Sequence, residues 1–500
     1  MHKKSRYLKL LSVLMCTTLL SACSENSKMQ TELSTEVAAS IIGNKSIKDT
    51  ISELVQYDKD DYYSNWKNEN PNYITLNKTT ASLKGSGAKI EGSKITIDSA
   101  GVYAISGKLD NGQIIVDVQN KGTVRLVLNG AEINSSDNAP IYVKNAEKTI
   151  ISLEEGTENT IIDGENYVLD DSSSDEPNAA IFSKNNLTIN GTGKLTVRGN
   201  YNNGITSKDD LKITDGNIQI YSTDDGLLGR DIISVKVGTI NIESGGDGLK
   251  ATNDSDDTKG IVAIEDGKIN IKAKADGIQG EKAVLINKGS LNITCGGGSV
   301  NGTKKAEAMK GPFGNRDNNV NTETDANTEA TVNTEEESQS AKAIESSLDI
   351  GIGGGTLNID SADDSIHANN SVTVLGGNIN ITSGDDGIHA DSNILVKGGK
   401  INITKSYEGI ESAVVTISDG EIHVISNDDG INIAGGADES STNGRPGQNN
   451  FDASENNKLN INGGYISDNS NGDGLDSNGS IYMTKGTVVQ VAQLQMAMVP

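Results

Sequence analysis

A carboxylate recurs at one fixed place in a repeat: Asp225, Asp247, Asp276, Asp364, Asp386, Glu408, Asp429 and Asp473. In four cases its predecessor is acidic too, at Asp224, Asp363, Asp385 and Asp428, while Asn203 and Lys342 hold the place in two further repeats. If the repeats stack as coils at a strand spacing of ~4.8 Å, these carboxylates form a column. Two unit charges at that distance repel by ~1 kcal/mol in water and ~3–4 kcal/mol at an effective dielectric near 20. A calcium ion, which takes six to eight oxygen ligands, would neutralise such a column, and these acids are its expected ligands. The bland alternative is that Asp-Asp-Gly is good turn chemistry and the acids point to water.

A second column lies three residues further along and is polar and varied. It holds Lys250, Gln279, Glu345, His367, His389 and Glu411. Lys250, Gln279, His367, His389 and Glu411, with Tyr407 beside Glu408, are the candidates for contacting a glycan. The two histidines fit equally a metal site or a stacked pair bonded to nearby Asp. His423 sits between Ile422 and Val424 and faces outward, with no signal of its own. Catalysis of the lyase type would need a basic group to take the proton next to a uronate carboxylate. Arg230 and Lys250 are the basic residues near the column that could serve.

The elements that position these columns follow from the spacing. The small residue after the acid falls at Gly204, Gly226, Gly248, Gly277, Ala343, Ser365, Gly387, Gly409, Gly430 and Gly474, in steps of 22, 22, 29, 66, 22, 22, 22, 21 and 44. The steps of 66 and 44 read as three periods and two, and 29 as one period with a polar insert. Two aliphatic pairs recur in each period, such as Ile233/Val235 and Ile240/Ile242, with one polar residue between the members. Each pair is a short strand with one face buried, and a third inward position follows the small residue, as at Leu227, Ile366 and Ile388. Three short strands and tight turns per period predict an all-β fold, a right-handed parallel β-helix with coils of about 22 residues. The interior would be aliphatic, which suits a chain with 3% aromatic residues and one Trp, Trp66.

The chain begins with a basic HKKSR run and an apolar stretch to Leu20, too short for a stable span and read as a secretory signal. Leu20-Ser21-Ala22-Cys23 resembles a bacterial lipobox, with Cys23 as the lipidated first mature residue. The expected setting is the extracellular face of the cell membrane, anchored by lipid. With Cys16 in the signal and Cys23 at the anchor, Cys295 is the lone thiol of the body, so no internal disulfide is possible. A formal charge of −26 excludes nucleic acid as a natural partner. The expected organisation is a signal at 1–22, a polar tether at 23–57 with one short helix around Ile47 to Val55, strands and coils at 58–295, a disordered insert at 296–340, and further coils at 341–490 with a loop at 435–457.

The segments SAGVYAISGKLDNGQIIVDV, TVRLVLNGAEINSSDNAPIYVKNAEKTIISLEEGTENTI and PNAAIFSKNNLTINGTGKLTV, with the later DDGIHA, YEGIES and GDGLDSNG, resemble the bacterial carbohydrate-binding domain family. The resemblance runs from about Asp58 to about Val489. It implies a polysaccharide-lyase-like (pectate-lyase-like) β-helix, calcium binding, and partners among cellulose-like and pectin-like polymers. The tail AQLQMAMVP departs from the family, whose members continue with further coils. Three functions compete: a monomeric, non-catalytic, calcium-dependent glycan binder; a polysaccharide lyase; and a passive stalk or adhesin. Scarce aromatic rings disfavour broad stacking on neutral sugars, although Tyr201, Tyr221 and Tyr407 could stack. Calcium would bridge the acidic protein to an acidic polymer.

Overall fold

The computed structural model describes residues 40, 42–43, 45–62, 65–120, 122–169, 174–302, 340–434 and 455–491. The signal, Cys23 and the tail from residue 492 lie outside the described residues, as do most of the two expected inserts.

The aliphatic pairs become strands because β-branched side chains pack well on a pleated, half-buried surface. Three parallel ladders wind along the chain. One runs through Leu211–Ile213, Ile232–Val235, Ile261–Ile264, Ala283–Ile286, Asp349–Ile352 and Ser371–Val374. The second runs through Asn217–Ser222, Thr239–Ser244, Lys268–Ala273, Ser290–Cys295, Thr356–Ser361 and Asn378–Ser383. The third is short, with Leu227–Gly229, Leu249–Ala251, Ile278–Gly280, Ile344–Ser346 and Ile366–Ala368. Its inward residues pair in the order Ile205, Leu227, Leu249, Ile278, Ile344, Ile366, Ile388, Ile410, Ile431 and Leu475. The fold is a parallel β-helix, with a continuous aliphatic interior that also takes in Cys295.

The small-residue column has a packing reason. A Cβ on Gly226 would stand 2.5 Å from Ile242 Cγ2 and 2.7 Å from the Gly248 carbonyl oxygen, so the third strand sits against the second only where the side chain is minimal.

The register corrects the reading of the long steps. Ile278 pairs directly with Ile344, and Ile431 directly with Leu475. The steps of 66 and 44 are therefore single coils that carry insertions, not three coils and two. That both are multiples of the period does not make them whole coils, because the register joins the flanking coils directly. The first insert also begins later than expected. Gly296–Gly302 stay on the solenoid: the Ser299 N–H donates to Asp360 Oδ1 at 2.7 Å and Lys405 Nζ to the Ser299 carbonyl at 2.6 Å.

The tether is likewise shorter than expected. The helix Ile47–Leu54 is capped by Ser46, whose side chain accepts from the Asp49 N–H. Its residues Ile47 and Ile51, four apart on one face, join Ile42 and Val55 against Ile232, Ile261, Ala263, Ala283 and Leu285. Apolar residues in outward places of the first ladder create this seat, a signal that alternation alone hides. At the start of the solenoid, Asn72–Lys78 pairs antiparallel with Ala81–Lys84, and Ala88–Glu91 with Lys94–Ile97. These hairpins shield the first edge from strand addition. No helix among the described residues is long and apolar enough to cross a membrane.

Candidate functional site

The acidic column lies at the turn leading into the third ladder, and its first role is visible in its hydrogen bonds. The carboxamide oxygen of Asn203 accepts the Asp225 N–H at 3.0 Å. Asp225 Oδ1 accepts the Asp247 N–H at 2.9 Å, Asp247 Oδ1 the Asp276 N–H at 2.8 Å, and Asp276 Oδ1 the Lys342 N–H at 2.7 Å. After Lys342, which has no acceptor, the run stops. It restarts as Asp364 to Asp386 and Asp386 to Glu408, both at 3.0 Å. The extra methylene of Glu408 takes its carboxylate elsewhere, to Asn432 Nδ2 at 2.7 Å, and the run stops again. A last bond joins Asp429 to the Asp473 N–H at 2.6 Å. Wherever an Asn or Asp holds the place, its side-chain oxygen satisfies a backbone donor of the next coil, a task that Asn performs as well as Asp.

The charge is handled locally and differently from coil to coil. Asp225, Asp247, Asp276, Asp364, Asp386 and Glu408 are all buried. Burial pushes Asp225 up to about 6. Burial and the neighbouring Glu345 push Asp276 up to about 8. Asp429 rises to about 6 and Glu408 well above its ordinary range, burial leading in both. Asp247 instead holds Lys250 Nζ at 2.6 Å, and Lys342 Nζ lies 3.2 Å from Asp363 Oδ2. Burial alone would raise Asp364, yet His367 and His389 hold it well below the usual range. The column therefore stands on hydrogen bonds, protons and internal cations. One oxygen of each of these aspartates is thus committed to a backbone partner, which leaves at most the other for a cation.

The acids one residue earlier are, except for Asp385, more exposed than the buried members of the column. Asp224, Asp363 and Asp428 are half-buried, Asp385 is buried, and Asp473 of the inner column is exposed. Glycines make room above two of them. A Cβ on Gly246 would lie 2.3 Å from Asp224 Oδ1, and one on Gly472 2.7 Å from Asp428 Oδ1. Carboxylate oxygens of Asp363, Asp364 and Asp385 come within 4.8 Å of one another. Such an oxygen-only set matches what calcium prefers. Among the described residues, Asp224, Asp225, Asp247, Asp276, Glu408, Asp428, Asp429 and Asp473 fall outside the convergent sets of three or more donors; Asp386 converges instead with His389 and Glu411.

The profile of the carbohydrate-binding domain-containing protein family matches residues 91–387. The chain belongs to this family. A curated carbohydrate-binding domain-containing protein of Acetivibrio thermocellus is 42% identical over 134 residues, which is 27% of this chain and 47% of that protein. The chain thus spans about half the length of that relative. A solved structure, that of the polysaccharide lyase-like protein from C. thermocellum in its gadolinium derivative, shares 37% identity and covers 45% of this chain and 92% of its own, with a TM-score of 0.45.

For this carbohydrate-binding family member, the strand register places Lys250, Gln279, His367, His389 and Glu411 in one column, in direct succession with Glu345. Not all of them reach solvent. His389 is 1% exposed and faces carboxylates, so the expectation that it touches a glycan is corrected. Gln279 Nε2 donates to Glu345 Oε2 at 3.2 Å, and His367 is bonded to Asp364 and Asn369. Tyr407 sits in the turn, on the outer-acid position of its coil, and is half-buried. Arg230 is exposed but leans toward Asp231, with Nη1 3.6 Å from Oδ1, away from the acid column. Sequence reasoning undervalued Lys342 and Glu345. Both occupied their columns in plain view, but only packing shows that Lys342 supplies a cation and that Glu345 crowds Asp276. Asp391, whose Oδ1 is 3.7 Å from His389 Nε2, carries no repeat signal.

Proposed function

We propose that this chain is a non-catalytic, calcium-dependent polysaccharide-binding protein, anchored by lipid on Cys23 at the outer face of the cell membrane and acting as a monomer on pectate-like or cellulose-like polymers. The single observation that carries the reading is the convergence of Asp363 and Asp385, on neighbouring coils, with Asp364 of the buried, hydrogen-bonded column, on a chain of the carbohydrate-binding family. Asp363, Asp364 and Asp385 are the residues that would hold calcium, since they offer oxygen alone. Calcium, when bound there, supplies the positive charge that an acidic polymer needs to approach a chain of net charge −26. Half-buried Asp224 and Asp428 would extend the contact along the same edge.

A lyase reading meets an obstacle at its base. Burial works to lower Lys250, but its hydrogen bond to Asp247 and the charges of Asp247, Asp225 and Asp276 together outweigh it and hold the amine protonated. Pull-down on polygalacturonate and on cellulose, first in calcium and then in chelator, tests the proposal. Retention in calcium, lost in chelator and lost in Asp363→Asn/Asp385→Asn, is expected. Equal retention in chelator, or none in calcium, would sink it. Unsaturated product formed on polygalacturonate and abolished by Lys250→Ala or Arg230→Ala would make it an enzyme.

A further inference from the structure

His367 and His389 occupy the same column place on neighbouring coils, in direct strand register. Their rings meet edge to face, with centroids 4.7 Å apart. Both look onto Asp364. His367 Nδ1 is 2.7 Å from Asp364 Oδ2, a hydrogen bond. His389 is different: its side chain is 1% exposed, its Nδ1 makes no hydrogen bond, and Asp364 Oδ2 stands 3.7 Å away. That separation is too long for a hydrogen bond. It is close to the spacing of two ligands of one ion, because ligand atoms ~2.0–2.2 Å from a tetrahedral metal lie ~3.3–3.6 Å apart. One donor atom from each of Asp364, His367 and His389 lies within 4.8 Å of the other two. A buried imidazole nitrogen with no hydrogen bond and only a long ion pair to Asp364 is under-satisfied, so the arrangement is one that a shared ion would relieve.

The donor chemistry separates this cluster from the oxygen-only acids. Calcium and magnesium take oxygen, whereas paired imidazoles with one carboxylate suit zinc, copper, nickel or ferrous iron. Among the coils that continue this column, the nitrogen pair occurs only at His367 and His389; the flanking places are Glu345 and Glu411. The far edge of the His367 ring is held as well, with Nε2 3.2 Å from Asn369 Oδ1, and His389 Nε2 faces Asp391 Oδ1 at 3.7 Å. Oxygen partners of this kind fix the orientation of ligating imidazoles. His367 is half-buried, which gives an ion a way in.

We propose that Asp364, His367 and His389 form a site for a zinc-class transition-metal ion, which clips two adjacent coils together. Binding requires His367 to exchange its hydrogen bond with Asp364 for the metal, a shift of under ~1 Å in its distance to that oxygen. The site goes beyond the glycan-binding reading and shares with it only Asp364.

The test uses the full chain without a histidine tag, stripped of metal. Zinc is titrated against a chromophoric chelator in excess calcium, and cobalt(II) is titrated while its visible ligand-field bands are followed. One equivalent of zinc per chain is expected in excess calcium, weakened at most through the shared Asp364, with cobalt bands that zinc abolishes. His389→Ala and His367→Ala should each weaken zinc at least about tenfold, and His423→Ala, whose ring is bonded to Glu421, should not. Zinc should raise the melting temperature of wild type and not of the variants. If His389→Ala does not fold, His367→Ala decides, since its metal-free melting can be compared with wild type. Equal zinc affinity in wild type and His367→Ala, or none in wild type, overturns the proposal. Polymer retention in calcium is read on the same samples. Retention with no zinc site defeats this inference alone, and a zinc site without retention defeats the glycan reading alone.

Discussion

The run from Asn203 to Lys342 and the run from Asp364 to Glu408 share one backbone design; burial pushes Glu408 up as it does the acids of the first run, and the contrast in charge lies at Asp364. In the first, carboxylates are buried in succession and rise toward neutrality, with Lys250 the cation at their centre. In the second, Asp364 stays ionised under two imidazoles, and His389 is raised to about 9: burial pulls it down, but Asp364 outweighs burial. The hydrogen bond from each acid to the next coil is the same in both. The geometry of the column is thus a property of the coil, whereas its electrostatics belong to whichever side chain the adjacent column supplies.

The largest contrast should come from truncating the acid. Asp364→Ala leaves both a buried imidazolium and the Asp386 N–H unpaired, and should cost ~3–5 kcal/mol in chemical denaturation. Asp225→Ala leaves only the Asp247 N–H unpaired and should cost about 1–3 kcal/mol. Equal losses at the two positions would erase the distinction.

The pH dependence of melting, recorded in chelator, should differ next. Asp225 and Asp276 have folded values of about 6 and about 8, above the ordinary 3.8. Their contribution is present below pH 3.8 and is lost as pH rises through 6 to 8. His389, raised from 6.5 to about 9, contributes below pH 6.5 and loses that contribution as pH rises through 9. Asp364 is depressed, so its contribution is present above the ordinary carboxylate range and is lost as pH falls through its folded value. Asp225→Asn should flatten the slope between pH 3.8 and about 6, Asp276→Asn the slope between 3.8 and about 8, and His389→Ala the slope between 6.5 and about 9. An unchanged profile in any of the three would contradict the assignment.

The smallest effect is a gain. Asp225→Asn keeps the acceptor and removes a buried charge, as Asn203 already does one coil earlier, so the melting temperature at pH 8 in chelator should be equal or slightly higher. A fall on the scale of Asp225→Ala would mean that the charge itself is needed.

Much of this was legible in the residues. The aliphatic pairs announced strands, the small residue announced a close approach, and the acids fell in the column that the strand register later joined. Coil count was not legible, because residues 296–340 and 435–457 add lengths that mimic whole periods. The helix Ile47–Leu54 was foreseen but its seat was not, since Ile232 and Ile261 look like ordinary strand residues until the faces are assigned.

Sequence alone determined the pitch, the interior and the two polar columns, because a solenoid repeats its local geometry and each coil meets only its neighbours. Tertiary structure decided which way each carboxylate turns and what neutralises it. Those outcomes depend in part on distances between residues a coil or more apart, such as Asp364 and His389 or Lys342 and Asp363, and on burial that a repeat pattern does not encode.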